Sequence, residues 1–125
     1  MRYIVLIIAC LFSLFLKADI VSSPNGEISV NFFLDNGKPT YEMFYKNKQV
    51  VKPSHLGIEF INFPSMIDGF EVVNTACDSF DEIWEPVWGE VSNIRNHYNE
   101  MRVELLQKQY NRNLTIVFRV YDEGM

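Results

Sequence analysis

The chain has 125 residues, with 11 Lys and Arg against 16 Asp and Glu, and a formal net charge of -5. The apolar fraction of 48% and the charged fraction of 22% are those of a globular protein, which excludes a disordered or fibrous chain. The acidic balance leaves no basic stripe for phosphate contacts and argues against nucleic acid as a partner. Two cysteines and two histidines are too few for a disulfide framework or a thiolate metal site, and we expect no cofactor in this chain.

Residues 1–18 have the pattern of a secretory signal peptide. A short positive start is followed by an almost entirely apolar run over residues 4–16, and the sequence turns polar at Asp19. This run is shorter than the roughly 20 residues that span a bilayer, so no membrane span is expected after cleavage. A second interpretation makes Cys10 the anchor of a lipoprotein. The prediction is an exported chain, periplasmic or extracellular, whose folded domain is residues 19–125.

The folded domain has the pattern of strands joined by turns. Polar and apolar residues alternate in its clearest segments, which is typical of half-buried strands, and Asn-Gly and Lys-Asn steps mark tight turns. No segment after residue 18 has the pattern of a helix of ten or more residues. The sequence therefore predicts an all-β fold, an antiparallel β-sandwich. The predicted strands cover residues 27–32, 41–45, 49–51, 58–61, 70–73, 99–107 and 114–121.

An acidic, aromatic loop is predicted at residues 78–90. Two of its carboxylates could act as acid and base on a glycosidic bond, or several could bind Ca²⁺ through their oxygens. The alternative is a solvated acidic loop, which the absence of an organised ligand spacing favours. The acidic residues are Asp78, Asp81, Glu82, Glu85 and Glu90.

Three other side chains of the kind used in catalysis are interpreted as structural. His55 and His97 are far apart in sequence, and we expect each to be hydrogen-bonded within the fold. Cys77 is expected to be a small buried hydrophobic residue rather than a nucleophile.

The aromatic content of the same loop suggests contact with a carbohydrate. Trp84 and Trp88 offer flat apolar rings with a polar edge, which suit a sugar face, and amide and acid groups nearby could bind hydroxyls. The alternative is that the two tryptophans plug one end of the sandwich. The candidate contact residues are Trp84, Glu85, Trp88, Glu90, Asn96, His97, Tyr98 and Glu100.

Several motifs resemble the N-terminal domain of glycoside hydrolase family 97. The most specific are Trp-Glu-Pro-Val-Trp-Gly-Glu at residues 84–90 and Asn-His-Tyr-Asn-Glu at residues 96–100. Segments 22–26, 37–41 and 54–57 fit the same family, so that the resemblance covers nearly all of the folded domain.

The resemblance implies a secreted α-glucosidase or α-galactosidase, in which an N-terminal β-supersandwich precedes a catalytic (β/α)₈ barrel and a small C-terminal β domain. The barrel supplies the catalytic carboxylates and most ligands of a bound Ca²⁺, so no catalytic residue of the family can be assigned to a position of this sequence. Because the N-terminal domain of the family is about twice as long, the resemblance implies an incomplete sandwich and a missing barrel as its partner.

Three functional hypotheses follow. In the first, the chain is a non-catalytic, carbohydrate-associated sandwich that forms part of the wall of an oligosaccharide site. In the second, it is an inert structural fragment. In the third, it is a hydrolase in its own right that uses the acidic loop. The absence of a barrel and of a defensible carboxylate pair favours the first over a hydrolase. If partner strands are missing, residues 114–121 form an unpaired sheet edge, and we expect the isolated chain to aggregate.

Overall fold

A computed structural model describes residues 19–89 and 94–125. Within these ranges the chain forms nine strands, and its one helical segment is a 3₁₀ turn at Lys108–Tyr110. No helix in the described ranges is long and apolar enough to cross a membrane. The strands are β1 (Asp19–Ser22), β2 (Ile28–Asp35), β3 (Lys38–Tyr45), β4 (Lys48–His55), β5 (Ile58–Phe60), β6 (Phe63–Met66), β7 (Phe70–Trp84), β8 (Ile94–Gln107) and β9 (Arg112–Tyr121).

The first four strands form one antiparallel sheet in the order β1-β2-β3-β4. The β2–β3 and β3–β4 hairpins close through two-residue turns whose residues both have positive φ: Asn36 and Gly37 at 50° and 78°, and Lys46 and Asn47 at 48° and 65°. This is the turn geometry that matches the twist of paired strands, and Asn and Gly adopt it at low cost. The two tight turns thereby fix the register of the sheet.

The last three strands form a second antiparallel sheet in the order β7-β8-β9. Strands β7 and β8 stay paired from Phe70 opposite Gln107 to Trp84 opposite Ile94, whereas β9 stops at Tyr121, opposite Tyr98. The last four residues of β7, 81–84, and the first four of β8, 94–97, therefore extend beyond β9 as a two-stranded ribbon. We call this ribbon the arm.

The two sheets pack face to face around an apolar core. Alternation along each strand sends every second side chain inward, and the most buried ones come from the first part of β2 and from the second halves of β8 and β9. Two hydrogen bonds add to the packing: Thr75 Oγ1 donates to Asp19 Oδ2 at 3.1 Å, and Asn99 Nδ2 donates to the Ser22 carbonyl at 2.7 Å. The core residues are Val21, Ile28, Val30, Phe32, Met66, Phe70, Met101, Val103, Leu105, Phe118 and Val120.

The predicted all-β sandwich is confirmed, and two local expectations are wrong. Residues 78–84 are not loop but the second half of β7, because each of them pairs with a residue of β8. Cys77 is not buried but exposed, since it lies on an edge strand beside a pocket of about 330 Å³ that it shares with Ser22 and Ser79.

His55 is hydrogen-bonded as expected, with Nε2 3.2 Å from Asp35 Oδ2. The predicted signal peptide, including Cys10, lies outside the described residues.

Candidate functional site

The arm carries one aromatic and polar face, formed by every second residue of its two strands. Trp84 lies opposite Ile94, and Glu82 lies opposite Asn96. Directly opposite residues of an antiparallel pair project to the same side, so these four side chains form one face. We call it the Trp84 face.

Toward the sandwich, the Trp84 face continues into a stack of three rings. Tyr98 stacks on Phe80 with ring centroids 5.0 Å apart and planes 22° apart, and on its other side it contacts Tyr121 at 5.1 Å. The Arg119 guanidinium lies over the Tyr98 ring, 5.1 Å from its centroid. Tyr98 is only 7% exposed as a result. Its ring supports the base of the arm and presents almost no surface to a ligand.

Glu100 is the next residue on that side of β8, and it is also withdrawn from the surface. Its side chain is 8% exposed, and its Oε1 accepts a hydrogen bond from Arg119 Nε at 3.0 Å. Arg102 approaches the other carboxylate oxygen at 4.0 Å. The hydrogen bond to Glu100 is the main cause that raises the pKa of Arg119. Glu100 therefore anchors two cations on the outer face of the second sheet.

The opposite face of the arm is held by an ion pair. Arg95 donates from Nε and Nη2 to the two carboxylate oxygens of Asp81, both at 3.0 Å. This hydrogen bonding is the largest cause that lowers the pKa of Asp81, and the charges of Arg95 and His97 act in the same direction against a smaller desolvation effect. His97 lies opposite Asp81 in the register and is half-buried. The sequence-predicted candidates Asn96 and His97 thus lie on opposite faces.

We call the residues that follow the arm, 85–89 in the described part, the tip. Together with Trp84 at the end of the arm, the tip is the most exposed apolar part of this end of the molecule. Trp88 is 89% exposed and Trp84 is 51% exposed, with Glu85 exposed between them. The described part of the tip ends at Gly89, and the candidate Glu90 lies outside the described residues. The two tryptophans therefore do not plug the sandwich, which was the alternative interpretation of their presence.

The acidic residues of this region do not converge on one point. Asp78 and Glu82 project to one side of β7, Asp81 projects to the other, and Glu85 follows the end of the strand. Within residues 19–89 and 94–125, no three His, Cys, Asp or Glu side chains are grouped so that they could hold a metal ion. The described acidic residues therefore offer no cluster of carboxylates for a Ca²⁺ ion.

Two residues of this surface were missed in the sequence. Arg119 and Tyr121 complete the cation and ring contacts of Tyr98, yet they lie on β9, more than 20 positions along the chain. The signal was present in the alternation of β9, where Phe118 and Val120 point inward and Arg119 and Tyr121 must therefore point outward. What the sequence alone lacks is the register that sets Tyr121 opposite Tyr98.

Comparison with known families gives the identity of this sandwich. The family described as Glycosyl-hydrolase 97 N-terminal matches residues 21–125. The chain belongs to glycoside hydrolase family 97. It matches the N-terminal domain of that family, as the motifs at residues 84–90 and 96–100 had indicated.

Proteins that match this chain are much longer than it is. A retaining alpha-galactosidase of Bacteroides thetaiotaomicron is 21% identical over 126 residues, which is 100% of this chain and 18% of that protein. A family 97 enzyme of Pseudoalteromonas sp. strain K8, solved with panose and with acarbose, is 27% identical with a TM-score of 0.78, over 83% of this chain and 16% of the enzyme. A beta-arabinopyranosidase structure gives 25% identity and a TM-score of 0.74, over 85% and 17% of the two chains. The chain thus spans less than a fifth of each of these relatives.

Proposed function

We propose that this chain is the non-catalytic front part of an exported family 97 α-glycoside hydrolase, and that its arm and tip contact an α-linked oligosaccharide. The match of residues 21–125 to the N-terminal domain of the family supports this function most directly. The relatives add the substrate class, because one is an alpha-galactosidase and another is solved with panose and acarbose. The catalytic barrel of the longer enzyme is the partner that this proposal requires.

The geometry of the tip supports sugar contact by Trp84 and Trp88. Large apolar side chains cost free energy when they remain in water, and an exposed tryptophan pair beside polar groups is typical of a binding surface. A pyranose ring has an apolar face that stacks on indole, while Glu82, Glu85 and Asn96 supply acceptors and donors for hydroxyl groups. Tyr98 and Glu100 act in this proposal as supports of the arm, because both are buried.

The placement of the carboxylates supports a non-catalytic role. Hydrolysis of a glycosidic bond uses two carboxyl groups about 5 to 10 Å apart across the bond, one of them a proton donor with a raised pKa. Asp81 is bound by Arg95, and its pKa is lowered, which makes it a poor acid at neutral pH. Asp78 and Glu82 project from the opposite face of β7, so they do not form a pair with Asp81 across one bond.

A fluorescence titration with panose tests the sugar contact. We expect a saturable change in tryptophan emission for the full chain, and loss of that change in Trp88→Ala. Because Trp88 is 89% exposed, this substitution should leave the free energy of unfolding within about 0.5 kcal/mol of the parent. Phe63→Ala is the matched control, since Phe63 is 72% exposed on β6, which Arg112 binds at the end of the sandwich remote from the arm, and it should leave panose binding unchanged. A flat titration of the parent chain would favour the inert fragment.

An activity assay tests the non-catalytic role. The purified chain should not turn over aryl α-glucosides or α-galactosides, with or without added Ca²⁺. Clear turnover that disappears in Glu85→Gln or Glu90→Gln, and persists in Glu59→Gln, would instead support a hydrolase that uses the acidic segment. Glu59 serves as the control because it lies on β5, whose partner β6 is bound by Arg112 at the end of the sandwich remote from the arm.

Export is the remaining part of the proposal, and the sequence of residues 1–18 supports it. We expect a bacterial host to deliver the chain to the periplasm and to remove these residues, so that the mature protein starts at Asp19. N-terminal sequencing of the fractionated product tests this expectation. Labelling with a radioactive fatty acid that is lost in Cys10→Ser would instead identify a lipoprotein.

A further inference from the structure

Two Asn-Gly steps of this chain, at residues 25–26 and 36–37, contain the same reacting groups in different surroundings. An asparagine loses its side-chain amide most readily before glycine, because glycine leaves the following backbone nitrogen unhindered. Asn25 and Asn36 are both exposed, one in the turn before β2 and the other in the turn after it. Each asparagine therefore serves as an internal reference for the other.

Hydrogen bonds restrain the reacting groups of the first step. Asn25 Oδ1 accepts from Ser23 Oγ at 2.7 Å and from Glu27 N at 3.0 Å. Gly26 N donates to the Ser23 carbonyl at 2.9 Å. Asn25 N donates to Asp122 Oδ1, also at 2.9 Å. The Gly26 nitrogen reaches the amide carbon of Asn25 only after several of these contacts break.

The second step has no such restraint among the described residues. No described hydrogen bond involves the Asn36 side chain or the Gly37 N–H, whereas the Gly37 carbonyl accepts from Phe70 N at 3.0 Å. The φ angles of Asn36 and Gly37, 50° and 78°, are those of one of the two turn types that close two-residue hairpins. The amide of Asn36 and the nitrogen that could attack it are therefore both free.

A flip of the peptide unit between Asn36 and Gly37 converts this turn into the other of the two types. The flip moves the ψ angle of Asn36 to about −120°, which aligns the Gly37 nitrogen with the Asn36 Cβ, and it gives Gly37 a negative φ, which glycine adopts freely. Only the Asn36 carbonyl and the Gly37 N–H belong to the flipped unit, so the hydrogen bond from Phe70 N to the Gly37 carbonyl remains. The geometry for ring closure is thus reached without breaking a described hydrogen bond.

We propose that Asn36, and not Asn25, is the site at which the folded chain is modified by deamidation. The Gly37 nitrogen gives up its proton and attacks Asn36 Cγ. The new N–C bond closes a succinimide ring, the Cγ–Nδ2 bond breaks, and the amide leaves with the proton as ammonia. Water then opens the ring: attack at Cγ gives aspartate, and attack at the backbone carbonyl carbon gives isoaspartate, whose side chain becomes part of the backbone.

Isoaspartate at position 36 disturbs a contact between the first sheet and the start of β7. It lengthens the turn by one methylene group, and Gly37 has little room to move, since a Cβ atom there would lie 3.1 Å from the Gly69 nitrogen. The Gly37 carbonyl also binds Phe70 N, and Phe70 is a core residue that is 5% exposed. We therefore expect isoaspartate to detach the turn from Phe70.

Incubation of the full chain in mildly alkaline buffer tests the choice of site. Peptide mass spectrometry follows the replacement of NH by O at Asn25 and Asn36, in the folded chain and in guanidinium chloride. The rate in guanidinium chloride divided by the rate in the folded chain gives a protection factor for each asparagine. Because several hydrogen bonds must break at Asn25, its protection factor should exceed that of Asn36 by about tenfold or more. Equal protection of the two residues, or greater protection of Asn36, would overturn the proposal.

The isoaspartate fraction, separated from the incubated chain, tests the structural consequence. It should have a Tm lower by about 4 to 8 °C and amide exchange at Phe70 faster by about tenfold or more. Asn36→Gly is the control, because it keeps a residue that accepts positive φ and removes the amide. After the same incubation this variant should keep its Tm and its exchange rate at Phe70, and losses equal to those of the parent chain would overturn the proposal. These readouts are independent of panose binding.

Discussion

Gln107 and Arg112 form a hydrogen-bonded hub at the end of the sandwich remote from the arm. Arg112 Nη2 donates to Gln107 Oε1 at 2.6 Å, and its Nε donates to the same oxygen at 3.1 Å. Gln107 is 2% exposed, and its Nε2 donates to the carbonyls of Ser65 and Asp68 at 3.1 and 3.0 Å. The hub thereby holds β6 and the turn that follows it against the hairpin of β8 and β9.

We predict that Gln107→Leu lowers the free energy of unfolding by about 2 to 3 kcal/mol. The substitution keeps a side chain of similar size but leaves the two carbonyls and part of Arg112 without their partner, and an unsatisfied buried polar group costs about 1 to 3 kcal/mol. Urea denaturation measures the loss. Gln49→Leu is the matched control, because Gln49 is exposed and donates only to Glu42 in the described contacts, and its effect should stay within about 0.5 kcal/mol. Equal losses for both variants would contradict the hub.

Gly37 provides a second prediction, because its turn packs closely against another part of the chain. Its φ is 78°, and a Cβ atom placed there would lie 3.1 Å from the Gly69 nitrogen. Gly26 has nearly the same φ, 77°, and a Cβ atom placed there would have no other atom within 4 Å. Both Ala variants should lose about 1 kcal/mol to left-handed strain, and Gly37→Ala should lose about 1 to 2 kcal/mol more to the contact. Thermal unfolding of the two variants measures the difference, and equal values would contradict the contact.

The accuracy of the sequence-based predictions differs between the sandwich and the arm, for a physical reason. Residues 99–107 and 114–121 alternate strictly, and local turn residues fix the hairpins of the first sheet, so their strands could be predicted without tertiary information. Residues 78–84 are rich in acids, which have low strand propensity, and they form a strand only because residues 94–100 pair with them. The burial of Tyr98 likewise depends on Tyr121, and that contact depends on a register that spans two strands.

The Asp81–Arg95 pair makes a prediction about pH. Because the pKa of Asp81 is lowered in the folded chain, the pair stabilises the arm above the ordinary value of 3.8, and this contribution is lost as the pH falls below 3.8 through the lowered pKa. We expect a carboxyl-carbon NMR titration to give Asp81 a midpoint below 3.8, and Arg95→Gln to raise that midpoint toward 3.8. Arg102→Gln is the control, since Arg102 approaches Glu100 instead, and it should leave the midpoint unchanged. The same Asp81 midpoint in the parent chain and in Arg95→Gln would contradict the pairing.

The exposure of Cys77 makes a prediction about thiol reactivity. Cys77 lies on edge strand β7 and opens onto a pocket of about 330 Å³. A maleimide should therefore label Cys77 in the folded chain within about tenfold of the rate in the denatured chain, because the exposed thiol is accessible to the reagent. Mass spectrometry of the peptide that contains Cys77 distinguishes it from Cys10. Cys77→Ser should change the free energy of unfolding by no more than about 0.5 kcal/mol, as expected for an exposed side chain. Labelling that appears only in denaturant, or a large loss of stability in Cys77→Ser, would instead mean that a neighbouring strand covers this edge in solution.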